Sequence, residues 1–378
     1  MAKFTDIFSD ETKRGHKLQT SEYLPLGKYP IIDQGQSQII GYTNLENGLF
    51  TDVPAIVFGD HTRIVKYVDS PFFLGADGVK VLKVKVSDAD YKYLFYCLQN
   101  VKIPNTGYNR HFKWLKEANI PLPDLDKQRK IAAVLDKVSD LIAKHRQQLD
   151  KLDELVKSRF IEMFGDPISN NFGWKQGLLS EVTSKIGSGA TPRGGKESYQ
   201  TEGITLIRSM NVYDGRFEYK DLAHITNEQA EQLSNVAVEE GDVFINITGA
   251  SVARSCIVPN NILPARVNQH VAIIRCSRSY LHPVFANNMF LNEHFKGQLL
   301  DIGESGGATR QAITKQQLEN LVVILPPLNL QQQFAAFVAQ TDKSKFRMQK
   351  SLELERNLWT AFQADGIINM DYSMQRSR

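Results

Sequence analysis

Cysteine is scarce in this sequence. Cys97, Cys256 and Cys276 are the three in 378 residues, far apart and in no CxxC spacing, which argues against a disulfide framework or a cysteine-based zinc site and leaves reduced, packed thiols. Long apolar runs are missing as well. No stretch approaches the roughly 18 apolar residues that a membrane span needs, and the opening residues lack the charged-then-apolar pattern of a secretory leader. A cytoplasmic protein that engages no membrane is expected. Charge of one sign is also in short supply: a net charge of +3 and a pI near 8.5 are mildly basic, well short of a domain that holds nucleic acid by bulk charge. Any case for DNA binding must therefore come from organisation.

Chemical motifs are absent too. The eight histidines are scattered with no HExxH and no paired ligand spacing, so no metal site is expected. No carboxylate cluster of nuclease type stands out. A DNA methyltransferase acting alone would need a glycine-rich loop for its methyl donor and, by resemblance to such enzymes, an Asn/Asp-Pro-Pro-aromatic element at the target base. The Pro326-Pro327 pair is flanked by Leu325 and Leu328 and offers no polar side chain. Gly187-Ser188-Gly189-Ala190-Thr191-Pro192 puts proline where the third glycine of a dinucleotide loop belongs, and Gly195-Lys196 is followed by Glu197 where a phosphate loop needs Ser or Thr. The expectation is a chain without catalytic residues. A methyltransferase or nuclease with diverged motifs, and a coiled-coil adaptor that binds only proteins, stay open as alternatives.

A repeat is what the sequence does have. Leu122-Pro123-Asp124-Leu125, Gln128 and Ala132-Ala133 recur 203 residues later as Leu325-Pro326-Pro327-Leu328, Gln331 and Ala335-Ala336, six identities in twelve paired positions. Each copy ends a strand-like stretch, turns at proline and enters a helix. After the first copy, Ile131, Leu135, Val138, Ile142, His145, Leu149, Leu152 and Val156 fall on alternating steps of four and three, the spacing of a coiled-coil seam. Gly165 and Pro167 end the run by cap and block, which predicts a helix from near Asp126 to Phe164, on the order of 55–60 Å long. The second copy repeats the seam through Phe334, Val338, Met348, Leu352 and Trp359, interrupted by Thr341, Lys345 and Glu355, and the two helices are expected to pair antiparallel. Ahead of each helix, short β-rich runs such as 55–58, 79–84, 242–245 and 271–274 alternate with Gly, Asn and Asp turns. The fold class predicted is α+β: two globular domains separated by two long antiparallel coiled-coil helices in a pseudo-twofold internal repeat. The divisions fall at 1–122, 123–166, 167–325 and 326–366, with a polar tail over 367–378.

Polar, basic and aromatic loops remain as candidate contacts. The segment Thr106 to Trp114 holds Tyr108, Asn109, Arg110, His111 and Lys113 just ahead of the first proline turn, and Thr309, Arg310 and Gln311 stand at the equivalent place in the second half; Thr191 and Arg193, in the polar loop near the start of the second half, are further candidates. Arg, Asn and Gln can make the bidentate contacts that distinguish bases, while Lys and Arg hold phosphates. The plainer alternative is a solvated loop with Phe112 and Trp114 packed beneath it.

The whole chain resembles the specificity subunits of Type I restriction-modification systems. The resemblance is carried by the run from Ile120 to Ala132 with its degenerate second copy, and by Ser158 to Pro167. It also rests on Pro30 to Gly35 leading to Ile40 to Asn44, and on Ser188-Gly189-Ala190-Thr191-Pro192. What it implies is two target recognition domains on double-stranded DNA, each reading one half of a split, asymmetric sequence, held apart by two antiparallel helices. Methyltransferase subunits, two of them, would bring S-adenosylmethionine, and restriction subunits would bring ATP and magnesium; this chain would bind none of these cofactors. The repeat supplies a reason, because a tandem repeat imitates a twofold dimer, and DNA-binding dimers read paired half-sites.

Overall fold

A computed structural model describes residues 1–75, 77–107, 109–192, 194–304 and 311–361; the predicted polar tail lies outside them. The chain divides into two compact units, one of residues 1–147 with 349–378 and one of residues 148–348.

The first unit begins with β1 (Ala2–Lys3), α1 (Phe4–Ile7), β2 (Phe8–Asp10), β3 (Tyr29–Ile32), β4 (Gly41–Thr43), β5 (Ala55–Gly59), β6 (Val65–Val68), β7 (Phe73–Leu74) and β8 (Val79–Val84). It continues through α2 (Tyr91–Asn100), α3 (Phe112–Lys116) and β9 (Asn119–Ile120) into the long α4 (Leu125–Phe164). A four-stranded sheet runs β2-β8-β5-β6, a three-stranded sheet runs β4-β3-β7, and β1 pairs with β9. The run Ala55-Ile56-Val57-Phe58 shows why β5 is central. Side chains alternate across a strand, so Ile56 and Phe58 enter the core beneath α2 and α3, while Ala55 and Val57 join Phe72, Leu74 and Val81 on the other face. Both faces are covered, and the strand is apolar throughout.

The second unit repeats this plan: β10 (Gln176–Leu178), β11 (Thr183–Ser188), β12 (Ile204–Ile207), β13 (Val212–Tyr213), β14 (Arg216–Phe217), β15 (Ala223–Ile225), α5 (Asn227–Gln232), β16 (Val243–Asn246), β17 (Ser255–Ile257), β18 (Ala265–Val267) and β19 (Val271–Cys276). Then come α6 (Pro283–Leu291), α7 (Glu293–Glu304), α8 (Lys315–Glu319), β20 (Val322–Ile324) and α9 (Leu328–Ala361). Its sheets, β11-β19-β16-β17, β15-β12-β18 and β10-β20, match those of the first unit strand for strand, and among the described residues only the hairpin β13–β14 is an extra sheet. The one parallel pairing in each three-stranded sheet, β3 with β7 and β12 with β18, also corresponds. Here Val243, Ile245, Ala272 and Ile274 face the helical core, and Phe244, Val271 and Ile273 face the smaller sheet.

The repeated glutamine has the same work in both units. Gln128 is fully buried; its Oε1 accepts from Asp90 N (2.9 Å), and its Nε2 donates to Asp88 O (3.0 Å) and Pro123 O (2.7 Å). Gln331, also fully buried, accepts from His282 N (2.8 Å) and donates to Tyr280 O (3.0 Å) and Pro326 O (2.8 Å). Each clamps the start of a long helix to the segment that opens α2 or α6. An amide supplies an acceptor and two donors, and all are used.

The helical seam is as the spacing predicts. On α4, Ile131, Leu135 and Val156 are buried and Val138, Ile142, His145, Leu149 and Leu152 are half-buried between exposed neighbours. On α9 the polar interruptions find partners. In the first unit Glu355 meets His145 Nδ1 at 3.1 Å, and Trp359 packs edge-on against Tyr96. In the second, Lys345 pairs with Asp153 at 2.5 Å while Phe160 and Phe164 close on Phe334 with ring centres 5.6 Å apart, so α9 descends as α4 rises. Gly165 takes φ +72° and its N–H donates to Ile161 O at 2.8 Å, which ends α4.

Candidate nucleic-acid interface

In the first unit four loops converge at the carboxyl end of β5. Asp60 N donates to Gly78 O (2.6 Å), tying the turn after β5 to the β7–β8 turn, and His111 N donates to Asp60 O (2.7 Å), tying in the loop before α3. The turn itself closes through Gly59 N to Ile64 O (2.8 Å) and Arg63 N to Gly59 O (2.7 Å), with Arg63 at φ +65°. The β3–β4 loop joins through Gln34, whose Oε1 accepts from His61 N (3.2 Å) and whose Nε2 donates to Asp77 O (3.1 Å); Thr62 Oγ1 donates to Gln34 O (2.5 Å). Space is tight enough that Gly59 and Gly78 admit no side chain: a Cβ would lie 2.2 Å from Thr62 Oγ1 at the first and 2.7 Å from His61 Cδ2 at the second. Beneath the loop the buried Lys66 reaches Asp33 Oδ1 (3.2 Å) and Ser37 O (2.5 Å). Burial lowers its ammonium pKa even though Asp33 opposes the shift.

The candidate residues of this unit divide into exposed and structural ones. Arg110 and Lys113 are exposed, with Lys113 lying 5.0 Å from the Trp114 ring centre. Asn109 is exposed, its backbone carbonyl faces His61 Nδ1 at 3.2 Å, and its amide donates to Thr106 O. His111 requires a correction. It is fully buried, its Nδ1 donates to Asp60 O at 3.0 Å, and Asp60 Oδ1 in turn accepts from Phe112 N at 2.7 Å to start α3. A ring enclosed in this way holds the loop and cannot reach DNA. The Asp77 carboxyl is held below its ordinary range, first by Lys17 and at longer range by Arg110. Tyr108 lies outside the described residues.

The second unit builds the same rim from other side chains. Ile247 N donates to His270 O (3.0 Å) and Ile313 N to Ile247 O (2.8 Å), while Asn246 N donates to Arg254 O and Ala253 N to Asn246 O, both at 2.9 Å. These four bonds correspond one for one to those around Asp60 and Gly59, and Ala253 takes φ +66° where Arg63 takes +65°. The Ser188-Gly189-Ala190-Thr191-Pro192 segment joins because Gly189 N donates to Asn268 O at 3.1 Å; a Cβ there would fall 1.7 Å from Val267 O, so only glycine lets the loop lie this close. Thr191 is thereby set against Gln269, Gln269 Nε2 lies 3.2 Å from His270 Nε2, and Thr248 Oγ1 meets His270 Nδ1. Gln311 O accepts from Gly249 N (2.9 Å) and its amide donates to Glu304 Oε1 (2.6 Å). Thr191 and Gln311 are thus brought to one rim; Arg193, Thr309 and Arg310 lie outside the described residues.

Sequence reasoning missed Gln34, His61, Thr62, Thr248, Gln269 and His270. A signal was available, because Gly59 to Thr62 and Ile247 to Ser251 each directly follow an apolar strand run. No group of three or more His, Cys, Asp or Glu that could hold a metal occurs among the described residues. The three cysteines are buried and free, and burial pushes each thiol up to about 12. No described helix is long and apolar enough to cross a membrane.

Comparison with known proteins adds the following. The profile of the family described as "Type I restriction modification DNA specificity domain" matches residues 1–154 and again 171–356. The EcoR124I/EcoR124II type I restriction enzyme specificity subunit of Escherichia coli is 20% identical over 361 residues, covering 89% of this chain and 85% of that protein. The MjaVIII type I restriction enzyme specificity subunit of Methanocaldococcus jannaschii is 22% identical over 317 residues, covering 76% and 74%. Among solved structures, the S subunit of a Type I restriction-modification system from M. genitalium superposes with a TM-score of 0.62 at 15% identity, over 97% of this chain and 96% of that one.

Proposed function

Since the chain belongs to the family of Type I restriction modification DNA specificity domains, we propose that it reads two separate half-sequences of duplex DNA, one with each half, and hands that address to partner subunits. One observation carries the reading: the same loops are tied together by corresponding backbone bonds at the end of β5 and again at the end of β16, with unlike side chains on the two rims. Backbone of this kind positions; the exposed side chains discriminate. Because the two rims differ, the half-sequences need not be related by symmetry. The candidate readers are Asn109, Arg110 and Lys113, with Tyr108, in the first half and Thr191, Gln311, Arg193, Thr309 and Arg310 in the second.

The chain itself is non-catalytic in this reading and works in the cytoplasm on chromosomal DNA. Methyltransferase subunits carry S-adenosylmethionine, and restriction subunits carry ATP and magnesium. A repeat presents every surface twice, so a methyltransferase subunit that docks on one half meets an equivalent site on the other, which gives two per chain. The test is to map methylated adenines genome-wide with and without the gene. Loss of one motif made of two defined parts around an undefined spacer is expected; loss of a single unbroken motif, or of none, would contradict the reading. Methyl transfer to DNA by the purified chain alone would favour a free-standing methyltransferase instead, and failure to bind duplex at any salt would favour a protein-only adaptor.

A further inference from the structure

Tyr213 ends β13 and carries two guanidinium groups against one ring, Arg254 at 4.6 Å from its centre and Arg216 at 5.0 Å. Backbone builds the arrangement. The hairpin turns at Gly215, with φ +65°, and Gly215 N donates to Ser255 O at 2.8 Å, which seats β13–β14 on β17. Arg254 is the residue just before β17, and its backbone closes the turn that carries Thr248 by donating to Ser251 O at 3.2 Å and accepting from Asn246 N at 2.9 Å. The charged group therefore stands at the foot of the second unit's rim.

Its charges are only partly cancelled from within the protein. Asp214 is engaged by Lys296, and Glu218 lies 3.8 Å from Arg216. Among the described residues no carboxylate pairs with Arg254, and its side-chain N–H groups donate to no protein acceptor. Three cations face two carboxylates, and the half-buried Arg254 lies over a half-buried ring with its fork of donors unused. Holding two like charges at one ring is unfavourable unless an anion completes the group. Stacking on the ring fixes a guanidinium's plane and leaves its edge open, which is the geometry in which it grips a phosphate.

We propose that Arg254 and Arg216, braced on Tyr213, form a clamp for a DNA backbone phosphate beside the half-sequence read by the second half. This rests on the DNA-reading function above. The clamp belongs to one half only: Ile64 occupies the position of Arg254 in the first unit, where its carbonyl closes the turn by accepting from Gly59 N, and no hairpin intervenes between β3 and β4. A phosphate contact carries no base information, so the clamp adds salt-sensitive grip and leaves the sequence read unchanged.

The experiment is a salt series of duplex binding by the full-length chain with the subunits that co-purify with it, on random-sequence DNA and on DNA bearing the mapped motif. The slope of log affinity against log salt should become shallower by about one unit in the Arg254→Gln/Arg216→Gln double variant and by less than that in each single variant, equally on both duplexes. Arg254→Lys should keep most of the slope, since it keeps the charge, and the methylated motif should not change. Arg216 is exposed, so its variant keeps the proposal testable if Arg254→Gln folds poorly. An unchanged slope in the folded double variant, or an altered motif, would overturn the clamp while wild-type binding still upholds the reading beneath it. Absence of wild-type binding would overturn that reading itself.

Discussion

The turn after β5 and the turn after β16 open and close with the same backbone bonds and differ in what lies between. Three residues, 60–62, fill the first, and six, 247–252, fill the second. Where the first uses a buried Asp60 carboxylate and the His111 ring to bind the loop before α3, the second places Ile247 and Ile313 at the same crossing and relies on main-chain bonds alone. The two solutions differ in chemistry and agree in geometry. What this teaches is that the frame is specified by hydrogen bonds any residue can make and by apolar strands beneath them, so the rim can change its side chains, and its length, without disturbing the sheets. That separation is what a recognition module needs.

The comparison breaks most visibly at the glutamine clamps. Gln128→Leu removes the side-chain partner of Asp90 N, Asp88 O and Pro123 O from a fully buried position, and Gln331→Leu does the same to His282 N, Tyr280 O and Pro326 O. Each should destabilise the chain on the order of 3–5 kcal/mol, read from denaturant midpoints. Because the frame is common, the two losses should agree to about 1 kcal/mol; one large and one negligible loss would show that the halves are not equivalent.

A smaller and one-sided effect is expected at Gly189, where Cβ and the Val267 carbonyl cannot coexist. Gly189→Ala should cost roughly 1–3 kcal/mol and disturb only the half-sequence read by the second half, seen as relaxed methylation at those positions. Relaxation in the other half would contradict the assignment. Asp60→Ala acts on the other side of the comparison: it removes the acceptor at the start of α3 and should cost about 1–2 kcal/mol, with any loss of recognition confined to the first half. Smallest is the effect of an alkylating reagent near pH 8. With Cys97 in one unit and Cys256 and Cys276 in the other all raised to about 12 by burial, the thiolate is nearly absent, and labelling should follow only global unfolding in both halves alike. Rapid labelling of one cysteine would mark its unit as locally open.

Much of this frame was legible in the residues. The seam from Ile131 to Val156 is a local periodicity, and the exposure pattern follows it position by position. The repeat of Gln128 as Gln331 was visible as identity, yet its purpose was not, because the groups it binds lie about 40–50 residues away in sequence. Lys345 and Glu355 read as flaws in a seam until Asp153 and His145 stand opposite them. The rim was the hardest part. His111 sits among exposed polar residues and looks like one of them, whereas the bonds that bury it come from Asp60, 51 residues earlier. Gln34, His61 and Thr62 come from two loops well apart in sequence, and only their mutual bonds identify them as one surface.

The central claim is that each half reads its own part of a divided sequence on a shared frame, and one measurement meets it directly. Residues 1–122 would be replaced by the matching region of a relative with a different, mapped motif, and the methylated adenines of the host genome sequenced. The account predicts a hybrid motif in which one half is the relative's and the other half is unchanged. A chimera that folds and assembles but alters both halves at once would contradict it.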